Sequence, residues 1–472
     1  MGRNQDDLLS KLPDDVLLNI VEHLDIAEVG RSSILSRRWK QIPAMLSKIA
    51  IMVGSFEAKQ QGRIKDLTSD DDLVQANATV LEATRSILER RTESLYTIRQ
   101  ICMQFYLGDD SIFIGQAVGD TIATQKVSSV EFTISTKVAL KNCTYNDLLT
   151  QGRQFMSFFD ACPDAFGGLV RLKLENLRLG ESYFSKVFSI CKRLEFLRLY
   201  YCDMGILSLL EVEHPQLRTL EIIGGSFERV DLKWLPKLTL AIFSCFKSRH
   251  DPLYFGDVPL LKTVGISNLA LSWHKMLKLS ELLGNTAISY LQLNFKSEKI
   301  WVKPEGPKQL LPVLHKLRFV NLANISEECD LTWTMFILEG APNLKELYIT
   351  VRDHFCTMIT GERRKLHAFS KEKKDKDAAW DAPASDFKHH SLAVLRIFGF
   401  QAEDKFVSYV RCVTDAAVNL RDIYLYNNPV CMKCNHMASK APKYPRTLKQ
   451  RLSVRKIISK GMRPLIGIHF PT

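Results

Sequence analysis

Hydrophobic side chains recur along most of the chain with one spacing: an apolar residue, two variable positions, an apolar residue, one variable position and a third apolar residue. Most copies begin 21 to 29 residues apart, and a weaker copy begins at Leu238. Because alternating positions lie on one face of a strand, each copy predicts a short strand with one buried face. Such a strand cannot bury that face alone, so the pattern predicts stacked repeats. The clear copies are Ile98/Ile101/Met103, Val127/Val130/Phe132, Leu169/Leu172/Leu174, Leu194/Leu197/Leu199, Leu217/Leu220/Ile222, Leu261/Val264/Ile266, Ile288/Leu291/Leu293, Leu317/Val320/Leu322, Leu344/Leu347/Ile349, Leu392/Leu395/Ile397 and Leu420/Ile423/Leu425.

The first 25 residues follow a different period, which is typical of a helix. Apolar side chains at spacings of three, four and one fall on one helical face. They are Leu12, Val16, Leu17, Ile20, Val21 and Leu24. Pro13 suits a first helical turn, and Asp14 and Asp15 complement the positive end of the helix dipole. Asp25 and Glu28 have the spacing of a capping box, which predicts a second helix.

The motif residues of these helices are specific. Leu12, Pro13, Asp14, Asp15 and Val16, followed by Leu35, Ser36, Arg37, Arg38 and Trp39, resemble the F-box in the form common in plants. The resemblance implies a helical module that binds a Skp-type adaptor, which in turn holds a cullin complex. The adaptor-binding candidates are Leu12, Pro13, Val16, Leu17, Ile20, Leu35 and Trp39. Alternatively, Trp39 and the leucines form only the core of a helical hairpin.

One position departs from the family pattern. Gly30 stands where the family usually has an apolar residue. Since glycine inside a helix costs about 1 kcal/mol relative to alanine, this segment is expected to be kinked or looser.

The repeats also carry a resemblance. Asn176, Asn268 and Asn324 each precede an apolar residue, and four copies have proline two positions before the first leucine, at Pro215, Pro236, Pro259 and Pro342. This variant resembles plant F-box, FBD and leucine-rich-repeat proteins. The implied fold is α/β, with a small helical F-box followed by a leucine-rich-repeat solenoid, a horseshoe-shaped parallel β-sheet. An α/β fold with crossover helices is the alternative.

These patterns predict the following domains: an F-box at 8–48, a helical linker at 49–94, a leucine-rich-repeat solenoid at 95–430 and a basic C-terminal tail at 431–472. The solenoid includes a charged loop at 362–391 and, at 389–428, a stretch that resembles the FBD region. The loop has mixed charge and no apolar period, which favours a solvated surface loop over a binding element.

Side chains between the buried positions of each repeat strand point out of the sheet. Aromatic residues and arginine often dominate the binding energy of protein interfaces. The substrate-surface candidates are therefore Phe196, Arg198, Tyr200, Tyr290, Tyr348, Phe398, Tyr424 and Tyr426. The alternative is that neighbouring strands or the tail cover some of these side chains.

The formal net charge of +12 is concentrated at one end of the chain. No acidic residue follows Asp422, and the last fifty residues carry +10. This tail is interpreted first as an amphipathic helix that packs on the last repeat. Nuclear import or nucleic-acid contact is a weaker interpretation, since base-stacking aromatics and a known module are missing.

The N-terminus lacks the basic start and apolar core of a secretory signal, and no apolar run is long enough for a membrane helix. The sequence therefore predicts a protein of the nucleus and/or cytoplasm, with no membrane partner. Its eleven cysteines are expected to be reduced there.

One cysteine pair invites a metal interpretation. Cys431, Cys434 and His436 have ligand-like spacing, but a closed zinc site needs four ligands and no second pair follows. No phosphate-binding glycine loop, nucleophile elbow or zinc-protease helix is found. The sequence thus predicts no cofactor, no resident metal and no catalytic activity.

Together with the repeats, the resemblance implies the substrate-recognition subunit of an SCF-type cullin ubiquitin ligase, with an unknown protein target. A scaffold that does not direct degradation is one alternative, and a basic nucleic-acid-associated protein is another.

Overall fold

A computed structural model describes most of the chain, and the chain divides into two compact units. The first unit is Met1–Gly205 with His214–Ile222, and the second is Ile206–Glu213 with Ile223–Thr472. The described residues are 12–32, 34, 38–55, 59–60, 63–64, 70–88, 97–138, 142–205, 208–246, 251–268, 276–284, 286–297, 300–352, 387–428, 444–460 and 466–471.

Short helices and strands alternate up to residue 200. In chain order they are α1 (Asp14–Val21), α2 (Ile26–Ser32), a 3-10 helix (Trp39–Ala44), β1 (Lys48–Met52), a 3-10 turn (Val53–Ser55), β2 (Lys59–Gln60), β3 (Arg63–Ile64), α3 (Asp70–Leu88), β4 (Gln100–Tyr106), α4 (Ser111–Thr124), β5 (Ser129–Ser135), α5 (Tyr145–Ala161), α6 (Pro163–Gly167), β6 (Leu169–Glu175), α7 (Glu181–Ile190) and β7 (Phe196–Tyr200).

From residue 208 a run of strands comes first, and helices then alternate with strands again. They are β8 (Ser208–Glu213), β9 (Thr219–Ile223), β10 (Phe227–Trp234), β11 (Leu240–Phe246), β12 (Leu253–Asp257), β13 (Thr263–Asn268), β14 (Leu277–Lys278), α8 (Leu279–Leu283), β15 (Tyr290–Asn294), β16 (Val302–Lys303), α9 (Pro307–Leu314), β17 (Phe319–Ile325), a 3-10 turn (Thr332–Thr334), α10 (Met335–Gly340), β18 (Glu346–Val351), β19 (Val394–Phe398), α11 (Asp404–Ala416), β20 (Asp422–Tyr426), α12 (Leu448–Ser459) and β21 (Gly467–His469).

In the first unit the sheet strands follow the order β1-β4-β5-β6-β7-β9. Neighbours pair in parallel, with Ile101 opposite Val130 and Leu172 opposite Leu197. All four side chains are buried, as the repeat spacing predicts. The helices that follow the strands add aromatic side chains to this core, among them Phe158, whose ring centroid lies 5.9 Å from that of Phe105.

In the second unit the sheet strands follow the order β11-β13-β15-β17-β18-β19-β20-β21. Among the residues that the structure describes, the two units together hold fourteen such strands. A three-stranded sheet, β12-β10-β8, and the pair β14-β16 are separate from them. The predicted α/β fold is confirmed: a helical N-terminal region is followed by parallel strands, consistent with a leucine-rich-repeat solenoid.

The strands reach beyond the predicted solenoid range of 95–430. Strand β1 lies in the stretch predicted as a helical linker, which also contains α3. Helix α12 and strand β21 lie in the stretch predicted as a basic tail, and β21 pairs with β20 in parallel. The amphipathic helix predicted there packs through Val454 and Ile458.

Two asparagines near the ends of strands have a left-handed backbone: Asn176 directly follows β6, and Asn324 is the last residue but one of β17. Asn176 and Asn324 both have φ of 53°. Asparagine tolerates this conformation better than most residues because its short amide bonds locally. The Asn176 amide also donates to the Thr136 hydroxyl of the preceding repeat at 3.0 Å. Asn268, in contrast, lies at the end of β13 without positive φ.

The N-terminal helices are held together by their motif residues. The predicted capping box is present, since the Asp25 amide donates to Glu28 and the Glu28 amide donates to Asp25. Pro13 lies one residue before α1 rather than in its first turn, and its carbonyl accepts from the Leu17 amide. The Arg38 guanidinium donates to Asp14 at 3.1 Å, which ties the 3-10 helix to the start of α1.

Candidate functional site

The predicted adaptor-binding residues of the N-terminal helices divide into a buried set and an exposed set. Leu17 and Trp39 are buried in the unit and therefore stabilise its core. Val16 is 39% exposed and Ile20 is 38% exposed. Pro13 is exposed and Leu12 is half-buried, whereas Leu35 lies outside the described residues. The alternative of a hairpin core thus applies to Leu17 and Trp39 but not to Val16 or Ile20.

Ile34 was absent from the predicted set, although it is the most exposed large apolar side chain among the described residues. It is 84% exposed, just after α2. Ile34 also borders a cavity of about 660 Å³ between α2, the 3-10 helix and α3, lined by Val29, Gly30 and Ala83 among others. An apolar side chain this exposed gains free energy when a partner covers it.

The outward sheet face of the first unit is polar, and its charges pair with one another. Arg171 lies 3.3 Å from Glu131, and Arg198 lies 3.1 Å from Glu221. Phe196 is only 9% exposed, because the Arg171 guanidinium covers its ring at 3.9 Å. Of the three candidates in this unit, Phe196 is thus covered by a neighbouring strand and Arg198 is already ion-paired. The third, Tyr200, is half-buried, and its ring centroid lies 4.9 Å from that of Tyr201.

The second unit presents a continuous row of rings on its outward face, here called the aromatic row. Neighbouring ring centroids lie 4.3 to 6.4 Å apart, at angles that range from stacked to edge-on. Its members, in spatial order, are Tyr290, Phe319, Tyr348, Phe398, Tyr426, Tyr424 and His469. The candidates Tyr290, Tyr348, Phe398, Tyr424 and Tyr426 are therefore brought together in one surface.

Arg396 lies within the aromatic row and fixes its geometry. The guanidinium carbon is 4.3 Å from the ring centroid of Tyr424 and 5.1 Å from that of Tyr348. One guanidinium nitrogen donates to the Tyr426 hydroxyl at 3.2 Å. A cation between two ring faces is stabilised by their quadrupoles, so this part of the surface is preorganised for binding.

Two carboxylates are also engaged on this face. The Tyr348 hydroxyl donates to Glu346 at 3.0 Å. Burial, and then this hydrogen bond, raises the pKa of Tyr348 above its ordinary value, so the phenol keeps its proton. Asp422 lies 2.8 Å from the His469 ring nitrogen. The surface therefore offers rings and hydroxyls rather than free carboxylates.

Comparison with known proteins decides the identity of the N-terminal helices. Residues 9–48 match the F-box domain family. The chain carries an F-box domain. It is also similar to an F-box/FBD/LRR-repeat protein of Arabidopsis thaliana, with 24% identity over 373 residues, covering 75% of this chain and 74% of that protein. A second Arabidopsis thaliana F-box protein is 22% identical over 350 residues, covering 70% of this chain and 95% of that protein.

An F-box domain indicates a general role as a substrate adaptor in SCF-type ubiquitin ligases, with a Skp-type partner. F-box proteins are typically non-catalytic adaptors, and the relatives give no sign of a catalytic family. In the part of the chain that the structure describes, no helix is long and apolar enough to span a bilayer.

Three residues of this surface were missed by sequence reasoning: two rings of the aromatic row and the arginine that contacts it. Phe319 and Arg396 occupy outward positions of the repeat spacing, so the pattern itself could have found them. His469 lies in the stretch predicted as a basic tail, where no repeat strand was expected. The three belong to β17, β19 and β21.

The metal candidates Cys431, Cys434 and His436 lie outside the described residues. Elsewhere in the described chain, no group of three His, Cys, Asp or Glu side chains is placed to hold a metal ion. Both ring nitrogens of His389 are engaged by backbone groups, the Ala341 carbonyl and the Leu392 amide. Burial raises the pKa of the Cys191 and Cys202 thiols to about 12, so neither is a thiolate nucleophile.

Proposed function

We propose that this chain is the substrate-recognition subunit of an SCF-type cullin ubiquitin ligase and is not itself an enzyme. Its F-box binds a Skp-type adaptor, which joins the cullin, and its second unit binds a protein target. The observation that carries the proposal is the exposed apolar set Val16, Ile20 and Ile34 on a domain that matches the F-box family.

The proposed mechanism needs no reactive side chain in this protein. A target held on the repeat strands is tethered to the complex that carries the ubiquitin-conjugating enzyme. Tethering raises the effective concentration of the target's lysine amines at that enzyme without any new contact. The aromatic row supports this role, because rigid, clustered aromatic side chains are frequent anchors of protein interfaces.

Adaptor binding is tested by changing the exposed apolar set while leaving the buried core intact. The variant Val16→Ser, Ile20→Ser, Ile34→Ser is expected to weaken binding of a purified Skp-type adaptor by at least about 100-fold, since each side chain loses apolar contact. The matched control is Leu209→Ser, Leu260→Ser, Leu311→Ser, which changes leucines of similar exposure outside the F-box.

The control variant should bind the adaptor like the unchanged protein in calorimetry. Equal adaptor affinity in the F-box variant and the unchanged protein would refute the proposed binding mode.

A receptor differs from a scaffold in one further respect: a captured target gains ubiquitin in a reconstituted reaction that contains adaptor, cullin and conjugating enzyme. Capture without ubiquitin transfer would support the scaffold alternative instead.

We also propose that the protein resides in the nucleus and/or cytoplasm, where cullin ligases and their targets meet. Support comes from the F-box match. Fluorescence microscopy of a tagged full-length chain tests this. Accumulation in the secretory pathway would contradict it.

A further inference from the structure

A row of four basic side chains borders the aromatic row in the second unit, here called the basic edge. Its members are Lys262, Arg318, Lys345 and Arg421. Each immediately precedes a sheet strand, and backbone hydrogen bonds of 2.8 to 3.0 Å place them in one register row. The row passes in order through Lys262, Ser289, Arg318, Lys345, Ala393 and Arg421. At about 4.8 Å between neighbouring strands, it spans roughly 24 Å.

The cations of the basic edge are available to a partner. All four side chains are exposed. None has a carboxylate within salt-bridge distance among the residues that the structure describes, and Arg318 makes only a long hydrogen bond to the Asn343 carbonyl. The corresponding positions of the first unit differ, because Arg218 there pairs with Glu195 at 3.2 Å. Four aligned and unpaired cations create a field that favours an anionic partner.

The neighbouring rings restrict the chemistry of that partner. Tyr290 and Phe319 stack at 4.5 Å with an interplanar angle of 11°, and Phe398 and Tyr426 stack at 4.3 Å and 8°. In proteins that bind single-stranded nucleic acid, the bases stack on the free faces of aromatic side chains. Here the rings cover each other's faces, so bases have little room to stack between them. A polypeptide with apolar side chains meets the exposed ring edges without needing a free face.

We propose that the basic edge and the aromatic row together bind an acidic segment of a protein target. Carboxylates of Asp and Glu in the segment pair with the four cations, and its apolar side chains lie on the aromatic row. An extended chain rises about 3.4 Å per residue, so roughly seven residues cover the basic edge. The inference rests on the proposed function only in identifying the bound segment as part of a ubiquitination target.

The test uses the full chain in complex with its Skp-type adaptor and a labelled peptide in which glutamate alternates with phenylalanine and leucine. Fluorescence anisotropy should show binding that weakens as salt increases, because salt screens exposed charges. The variant Lys262→Gln, Arg318→Gln, Lys345→Gln, Arg421→Gln is expected to lose affinity on the order of tenfold or more. A peptide with glutamine in place of glutamate should show a similar loss with the unchanged protein.

A control variant makes the same change in net charge elsewhere in the second unit. It is Lys303→Gln, Lys308→Gln, Lys449→Gln, Lys456→Gln, at four exposed lysines outside the basic edge. Its affinity for the acidic peptide should stay within about twofold of the unchanged protein, because distant exposed charges are largely screened. An equal loss in both variants would show a net-charge effect and overturn the proposal.

Two further outcomes would also overturn it. One is equal binding of the glutamate and glutamine peptides, and the other is tighter binding of a single-stranded oligonucleotide that depends on the basic edge. Adaptor binding is measured separately in each sample. If the unchanged protein binds the adaptor but not the glutamate peptide, this inference alone is contradicted. If it binds the peptide but not the adaptor, the proposed function alone is contradicted.

Discussion

Gly30 lies inside the seven-residue helix α2, where a side chain would meet open space. A Cβ built at this position has no heavy atom within 4 Å. Glycine in a helix is therefore unfavourable here through its backbone entropy alone. The expected looseness at Gly30 does not break the helix, which continues to Ser32.

Replacing Gly30 with alanine should stabilise the protein. The expected gain is about 0.5 to 1 kcal/mol in the free energy of unfolding, measured by urea denaturation. Gly152 in α5 provides the opposite case, because a Cβ there would lie 1.9 Å from the Arg178 carbonyl oxygen. Gly152→Ala should destabilise by about 1 to 3 kcal/mol. A loss of stability in Gly30→Ala would contradict the idea that its helical backbone is unstrained.

At the scale of single residues, the sequence pattern distinguished buried from exposed side chains only in part. Val16 and Leu17 are adjacent on the predicted apolar face, yet Leu17 is buried and Val16 is exposed. A helical period shows which side chains share a face, but it does not show where the neighbouring element stops covering that face. Ile34 escaped prediction for the same reason, since its exposure depends on how the chain turns after α2.

Elements of the repeat array are joined by polar side chains as well as by the apolar core. Arg178 and Asp203 form a bidentate pair with distances of 2.6 and 3.1 Å. Both are buried, and their backbones form an isolated parallel bridge between successive repeats. A buried ion pair of this kind is costly to break from one side, because the remaining charge stays desolvated.

Asp203→Ala should therefore destabilise the protein by about 3 to 5 kcal/mol. Asp160→Ala is the matched control, since Asp160 pairs with Lys186 at 2.6 Å but both side chains are substantially exposed. Exposed pairs contribute little, so the control should unfold near the same urea concentration as the unchanged protein. If the two substitutions lowered the free energy of unfolding by similar amounts, burial of the ion pair would not be the cause of the loss.

His214 and His389 form a second device that links successive repeats. Each precedes the first leucine of a repeat by three residues, and each ring lies 3.0 Å from a carbonyl of the preceding repeat, Cys191 or Ala341. The other ring nitrogen accepts from a backbone amide. Both rings are therefore neutral, and burial lowers the pKa of each below its ordinary value.

This geometry predicts that stability falls on mild acidification. When the folded pKa is lowered, the unfolded chain binds more protons as pH falls below the unfolded value of about 6.5. The free energy of unfolding should then decrease by up to about 1.4 kcal/mol per pH unit for each such histidine. Urea denaturation at neutral pH and at several pH values below about 6.5 measures how steeply the free energy of unfolding falls with pH.

Glutamine does not titrate. His389→Gln should therefore remove the contribution of one histidine to the pH dependence of the free energy of unfolding. His315→Gln is the control, at an exposed histidine whose ring lies 2.9 Å from the Pro312 carbonyl of its own helix turn. If His389→Gln kept the full acid dependence, the neutral buried ring would not be its source.

The repeat spacing located the strands of the sheet more completely than it distinguished exposed from buried side chains. Every predicted copy of the repeat spacing lies on a sheet strand, because strict burial of three positions leaves a clear signal. Strand β1 carries the same spacing in Leu46, Ile49 and Ile51, all buried, although no repeat strand was predicted in that stretch. Strand β21 has only three residues, and it pairs with β20 in parallel.

At the scale of the whole molecule, the two proposed binding surfaces share no residue. The exposed apolar set belongs to the first unit, and the aromatic row and basic edge belong to the second. Changes at separate, non-contacting sites usually add in free energy. A receptor of this design should therefore bind adaptor and target independently, while ubiquitin transfer requires both.

This expectation gives a whole-molecule prediction. The basic-edge variant should bind the Skp-type adaptor within about twofold of the unchanged protein, because the two surfaces share no residue and belong to separate units. The F-box variant should in turn keep its affinity for the acidic peptide. Each variant alone should still abolish most ubiquitin transfer to a peptide-tagged target in a reconstituted reaction, since either loss removes the tether. If the F-box variant still supported ubiquitin transfer, the target would reach the conjugating enzyme without the adaptor. If the basic-edge variant bound the adaptor with a different affinity, the two surfaces would be coupled.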